Sequence, residues 1–233
     1  MPGEVEHRLV LGQEAVNNKS NEITAIPALL AGLALCGGLV TIDAEGCQKA
    51  IAQTILEQQA DYVLTVKGNQ KRTLQAVETW FEEHAFAVPA AMKPVLDAFD
   101  ESLGRLTRRR VFVHPAPTEL KVLEEWPGVQ SIMAVESIRM VKPDGGVTAE
   151  KRFSLSSLSV EDERQIAAIR QHWSIENSLH WVLDVTFRED TSRVREQHAR
   201  HNLAHLSKNR HQSDIPQYEH RQCPRQAKTS RLE

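Results

Sequence analysis

Asp43 closes a short apolar run, Leu39-Val40-Thr41-Ile42, and the chain turns polar immediately after it. Open α/β sheets place their sites at the carboxyl ends of strands, so a carboxylate there has two readings. It is a hard oxygen ligand for a divalent cation, or it caps the helix that begins in "CQKAIAQ". A second group stands in "HWSIENSLHWVLD". On a helix, His172, Glu176, His180 and Asp184 recur every four residues as one polar stripe. Trp173, Ile175, Leu179, Val182 and Leu183 cover the other faces, which puts Glu176 near the edge of a core. A carboxylate in that setting must be paired, hydrogen-bonded or metal-bound. A His–Glu network that only fixes packing satisfies the same pattern. The stripe lacks the His-Glu-x-x-His order of zinc proteases, which argues against a zinc hydrolase.

Two further stretches carry polar chemistry. "VKGNQK" sets Lys67, Asn69 and Gln70 at a strand end. They make either a polar turn or a phosphate contact, with Lys supplying charge and the amides supplying adaptable hydrogen bonds. "FREDTSRVR" sets Glu189 and Asp190 before a basic run, where Asp190 or Thr191 also serves as a helix cap.

The elements that must position these residues alternate at first. "HRLVLGQEAV" (7–16) reads as extended. "EITAIPALLAGLAL" (22–35) reads as a helix, capped by Ser20 or Asn21 and stopped by Gly37-Gly38. "LVTID" is a strand. "CQKAIAQTILEQQ" is an amphipathic helix with Ile51, Ile55 and Leu56 on one side. "DYVLTVKGNQ" is a strand and "QKRTLQAVETWFEEHA" a helix. Alternation with short connections predicts a parallel sheet covered by helices. After about residue 85 the pattern changes. "RLTRRRVFVHP", "QSIMAVESIRMVK" and "EKRFSLSSL" read as strands, and "KPDGG" is a hairpin signal between the last two. Helix returns at "SVEDERQIAAIRQHWSIENSLHWVLDV", with Ser159 and Asp162 resembling a capping box. The final stretch, "KNRHQSDIPQYEHRQCPRQAKTSRLE", has almost no apolar periodicity and reads as disordered.

Composition bounds the class. The 233 residues are 41% hydrophobic and 25% charged, ordinary values for a globular protein. Net charge is −3, so the chain as a whole does not attract nucleic acid. The charge is uneven, however: Arg193 to Glu233 carries nine Lys/Arg against four Asp/Glu. Cys36, Cys47 and Cys223 have neither zinc-ligand nor redox spacing, which favours a reducing setting without a disulfide framework. The longest apolar stretch, Ile26 to Val40, contains Pro27 and three glycines and is too short to cross a bilayer. No signal pattern opens the chain. The expectation is a soluble, cytoplasmic protein with no membrane partner.

Four blocks together, "KSNEITAIPALL", "VTIDAEGCQKAIA", "ADYVLTVKGNQ" and "HWSIENSLHWVLDVTFRED", resemble the H-repeat-associated insertion-sequence transposases. These belong to the DDE group, whose catalytic core is ribonuclease-H-like. The resemblance runs from about Leu9 to about Lys208 with order and spacing intact. It implies metal-dependent DNA cleavage and strand transfer at element ends and target. In an intact member two Asp and one Glu hold two Mg²⁺ (or Mn²⁺) ions. Carried over, Asp43 matches the second Asp and Glu176 matches the Glu. His172 stands where related groups place an Arg. Lys67, Asn69 and Gln70 match a block flanking the site. The DNA contacts expected are Lys67, Asn69, Gln70, Arg105, Arg109 and His172, joined by Arg108, Arg110 and the basic tail in a purely DNA-binding fragment.

The departures from the family pattern matter equally. The family's first catalytic Asp lies in a "DGK"-like block, and no such block precedes Asp43. The family's "HGRIE"-like block reads here as "LGRLT", 103–107, without its His and Glu. The fold expected is therefore α/β: an incomplete ribonuclease-H-like core with an antiparallel β insertion. It divides as 1–84, the N-terminal part of that core; 85–158, the insertion; 159–206, the helical part with the Glu; and 207–233, a divergent tail. The functional expectation is an N-terminally truncated, inactive transposase remnant. Its rivals are a non-catalytic DNA-binding fragment and a fragment that oligomerises with itself or an intact relative.

Overall fold

The computed structural model describes residues 22–86, 92–102, 105–141 and 146–175. The chain divides into two compact units, Leu35–Ile169 and a second made of Met1–Ala34 with Arg170–Glu233. In the second unit, α1 spans Glu22–Ala31 with Pro27 inside it. It ends four residues short of the expected Leu35. The Gly32 N–H is shared between the carbonyls of Ala28 (3.3 Å) and Leu29 (3.2 Å), and Leu33 N–H goes to Leu30 (3.1 Å). The last turn has thus tightened to three-residue bonds, as helix ends do. The expected strand at 7–16 and the caps Ser20 and Asn21 lie outside the described residues.

The larger unit is mixed α/β around one six-stranded sheet of order β1-β2-β6-β5-β4-β3. β1 is Leu39–Ile42, α2 is Lys49–Glu57 and β2 is Asp61–Val66. The two strands run parallel, Leu39 opposite Asp61 and Ile42 opposite Leu64. The crossover helix buries Ile51, Ala52 and Ile55. Leu56, expected with them, is half-buried. Tyr62, Val63, Leu64 and Val66 of β2 are all buried. That continuous apolar run fits a strand flanked on both sides and covered on both faces. Before β1, Gly37 takes φ +74, a left-handed conformation that glycine adopts without a Cβ penalty. Its N–H reaches Gln59 O at 2.9 Å, tying the entry of β1 to the end of α2.

The chain then forms α3, Lys71–Phe81, continued by one wider turn over Glu82–Phe86. Its buried face, Thr73, Val77, Trp80 and Phe81, lies against the sheet, with Phe81 stacked 6.0 Å from Phe153. Four antiparallel strands follow: β3 Leu96–Ser102, β4 Arg105–Pro115, β5 Ser131–Val141 and β6 Val147–Ser156. β6 pairs antiparallel with β2, Val63 opposite Ser156 and Val66 opposite Phe153. The antiparallel strands are therefore continuous with the parallel pair rather than a separate layer. Along β6, residues 147–150 are exposed and 153–156 are buried. The β5–β6 hairpin thus starts in the core and ends in solvent, with Val147 and Met140 exposed at its outer end.

Two local expectations need correction. β3 has no signal in the sequence, because "LDAFDES" is acidic and lacks a clean apolar alternation. Its acids instead meet the arginines of β4, and those cross-strand pairs supply what local propensity does not. At α4, Arg164–Ile175, the start lies four residues later than a Ser159 cap implies. Asp162 Oδ1 accepts the Arg164 N–H at 3.0 Å, so Asp162 is the capping residue. Ser159 contributes its backbone carbonyl, which accepts from Asp162 N–H at 3.2 Å. Gln165, 1% exposed, is held by Ser131 Oγ at 2.9 Å and by the Ser159 carbonyl.

Candidate active site

Asp43 follows directly on β1, and its side chain is exposed at the carboxyl end of the parallel pair. It does not cap α2. The N-cap of that helix is Gln48, which makes no side-chain cap bond, because the loop Ala44–Cys47 separates Asp43 from the first helical turn. The carboxylate instead folds over its own loop. Oδ1 accepts from Glu45 N–H at 3.2 Å and from Gly46 N–H at 3.5 Å. This is the local turn an aspartate makes with backbone two and three residues ahead. Oδ2 takes no hydrogen bond among the described residues. One oxygen thus fixes the side chain and the other faces solvent.

The next parallel strand end holds the same loop from the side. Lys67 closes β2, and a tight turn over Gly68–Gln70 follows, with Gln70 N–H on Lys67 O at 2.9 Å. Asn69 Nδ2 donates to the Ala44 carbonyl. Gln70 Nε2 donates to the Cys47 carbonyl at 3.0 Å and to Gln48 Oε1 at 3.2 Å. The amides expected to meet phosphate are therefore engaged within the protein, on the loop that carries Asp43. A sequence signal for this did exist. Parallel neighbours bring their carboxyl ends together, so an Asn-Gln pair past one strand faces the loop past the other. Lys67 is exposed and carries no ion pair among the described residues.

The remaining candidates are placed elsewhere or not at all. Glu176, with the stripe partners His180 and Asp184, lies outside the described residues, as do Glu189 and Asp190. His172 falls on α4. Arg105 and Arg109 stand on β4, which is separated from β2 by β6 and β5. At the usual inter-strand spacing that is about 14 Å across the sheet. The structure thus gathers Asp43, Lys67, Asn69 and Gln70, and sets the arginines apart. The arginines are also paired. Arg108 grips Asp97 with two bonds (2.9 and 2.6 Å), Arg110 Nε meets Glu136 at 2.7 Å, and Arg109 lies 3.9 Å from Asp100. Arg108 holds the Asp97 carboxyl below its usual range, chiefly through the direct hydrogen bond.

Among the described residues no three His, Cys, Asp or Glu side chains gather as a metal cluster. Of the two exposed carboxylates on this loop, Asp43 and Glu45, Asp43 is the one fastened by the loop's own amides. That donor suits a hard cation such as Mg²⁺.

Residues 4–208 match the family described as "Transposase DDE domain". The chain belongs to that transposase family. It is 40% identical over 208 residues to "Putative transposase YncI" of Escherichia coli O157:H7, covering 87% of this chain and 52% of that protein. It is likewise 40% identical over 195 residues to "H repeat-associated putative transposase YhhI" of Escherichia coli K12, covering 81% and 50% respectively. The H-repeat resemblance of the four sequence blocks is therefore sound. The chain spans about half the length of these curated relatives. No helix among the described residues is long and apolar enough to cross a membrane.

Proposed function

We propose that this chain carries part of the active site of a DNA transposase, with Asp43 and Glu176 as carboxylate ligands for Mg²⁺ or Mn²⁺. The observation that carries this reading is the division of labour at Asp43: Oδ1 is fastened by two backbone amides and Oδ2 faces outward. A ligand held in this way keeps its aim without losing its charge. The pairing with Glu176 rests on the family resemblance. When bound, two such ions supply an activated oxygen nucleophile and stabilise the leaving oxygen of a phosphodiester. The protein's own part is to orient the carboxylates and to hold DNA beside them. Lys67, exposed at the neighbouring strand end, is the phosphate contact. β1 and β2 belong to a ribonuclease-H-like core, and β3–β6 form its antiparallel insertion.

The sequence supplies matches to two of the family's three carboxylates. Asp43 and Glu176 alone leave the charge of two metal ions poorly matched, so strand transfer needs a third carboxylate beside these two. A purified sample tested with element-end DNA and Mn²⁺ should bind the DNA and yield no strand-transfer product. Strand transfer lost on Asp43→Asn would overturn the inactivity and uphold the family chemistry. Absence of DNA binding at low salt would contradict the transposase reading of this chain. The second reading is a DNA-binding fragment without catalysis, favoured by Lys67 standing exposed at the strand end. It predicts salt-dependent binding that no metal alters.

A further inference from the structure

We propose that Asn69 and Gln70 are positioning residues for Asp43, a clamp between neighbouring strand ends rather than a phosphate-binding pair. This rests on the reading of Asp43 as a ligand and adds the means by which its aim is kept. The loop they hold is buried at Ala44, Gly46 and Cys47, while Asp43 and Glu45 are exposed. A loop with alternate buried and exposed residues has few contacts to fix the exposed ones, so its backbone must be fixed instead. Two consecutive amides do this. The Ala44 carbonyl receives the Cys47 N–H at 3.2 Å and, from across the strand gap, Asn69 Nδ2. The Cys47 carbonyl and the Gln48 side chain receive Gln70 Nε2. The Glu45 and Gly46 amides lie between these anchors and point at Asp43 Oδ1. Loosening either anchor releases the amides that hold the carboxylate. The tight turn at Gly68–Gln70 brings both side chains over the neighbouring loop at once. Lys67, the residue before that turn, is left exposed for another task.

Hydrogen exchange by NMR on the full chain tests the clamp, with Mn²⁺ titration as a second readout. Asn69→Ala should speed exchange at Glu45 and Gly46 by about tenfold and leave Val63 and Leu64 of β2 unchanged. It should weaken Mn²⁺ binding by roughly tenfold, the low end for residues that orient a metal ligand. Asn69→His keeps a ring N–H where the amide stood and should recover most of both effects. DNA affinity at fixed salt without metal should not change in Asn69→Ala, whereas loss of a phosphate contact would weaken it for every sequence. Unchanged exchange at Glu45 and Gly46 overturns the proposal. So does faster exchange with undiminished Mn²⁺ affinity. If Asn69→Ala loosens β2 as well, the Asn69→His variant decides by the same two rates. A wild-type chain that binds no Mn²⁺ overturns the ligand reading of Asp43. The clamp then stands or falls on the exchange rates alone.

Discussion

One oxygen of Asp43 takes two backbone amides and the other takes none among the described residues, and single residues elsewhere show the same economy of contacts. Asp162 caps α4 through the Arg164 N–H, and its other bonds go to the Arg164 guanidinium. That guanidinium also reaches Asp61 Oδ2 at 3.0 Å, joining the start of the helix to the start of β2. Asp162→Ala should cost about 1 kcal/mol, the usual worth of a side-chain cap, read as a lower urea midpoint at pH 7. Arg164 holds the Asp162 carboxyl below its ordinary range, chiefly by the side-chain hydrogen bond. A depressed folded value makes the contribution complete above the unfolded value, near ~3.9. It fades as pH falls through the folded one. The midpoint difference between wild type and Asp162→Ala should therefore shrink in acid below that range. Cys47 behaves in the opposite sense. Burial pushes its thiol up to about 12, and the side chain is fully enclosed beneath the Asp43 loop. A thiol that stays protonated is a poor nucleophile. Cys47 should resist a disulfide reagent at pH 8 in the native protein and react once urea unfolds it.

Among elements, Asp43 follows β1, Asn69 and Gln70 follow β2, and α2, which links the two strands, is closely packed. Gly128 shows how tightly. It takes φ +60, and a Cβ there would come 2.8 Å from Leu56 Cδ1 on α2. Gly128→Ala should destabilise by more than about 1 kcal/mol, through both backbone strain and the clash, in a denaturant titration. Gly68, where a Cβ meets nothing, is the matched control, with an expected change near zero. The same elements show what was legible. β1, β2, α2 and the strands β4 to β6 follow from β-branched runs, turn residues and helical periodicity, which are local. β3 does not, because its stability lies in Arg108 and Arg109 of the next strand. The Ser159 cap failed for a related reason: Ser159 and Asp162 are both good caps, and the choice depends on the Arg164 contact. At the site, Asp43 at a strand tip was readable from pattern alone. Its separation from the cap of α2, and the use of Asn69 and Gln70, depend on two loops meeting in space.

At the scale of the whole molecule, charge is organised by pairing. The arginine run of β4 reads in sequence as a grip for DNA, yet Asp97, Asp100 and Glu136 answer it strand by strand. Paired arginines have less to gain from phosphate, since each contact must displace a carboxylate. Arg108→Gln should therefore leave the salt dependence of DNA binding unchanged, while Lys67→Ala lowers the slope by about 1. Filter binding across a salt series measures both. The central claim concerns the metal, and titration calorimetry of Mn²⁺ into the full chain and into Asp43→Asn tests it most directly. The account predicts a binding isotherm for the wild type that weakens at least about tenfold in the variant, since a hard cation loses a charged oxygen ligand. Equal affinity in the two proteins, or heat of binding in neither, would contradict it.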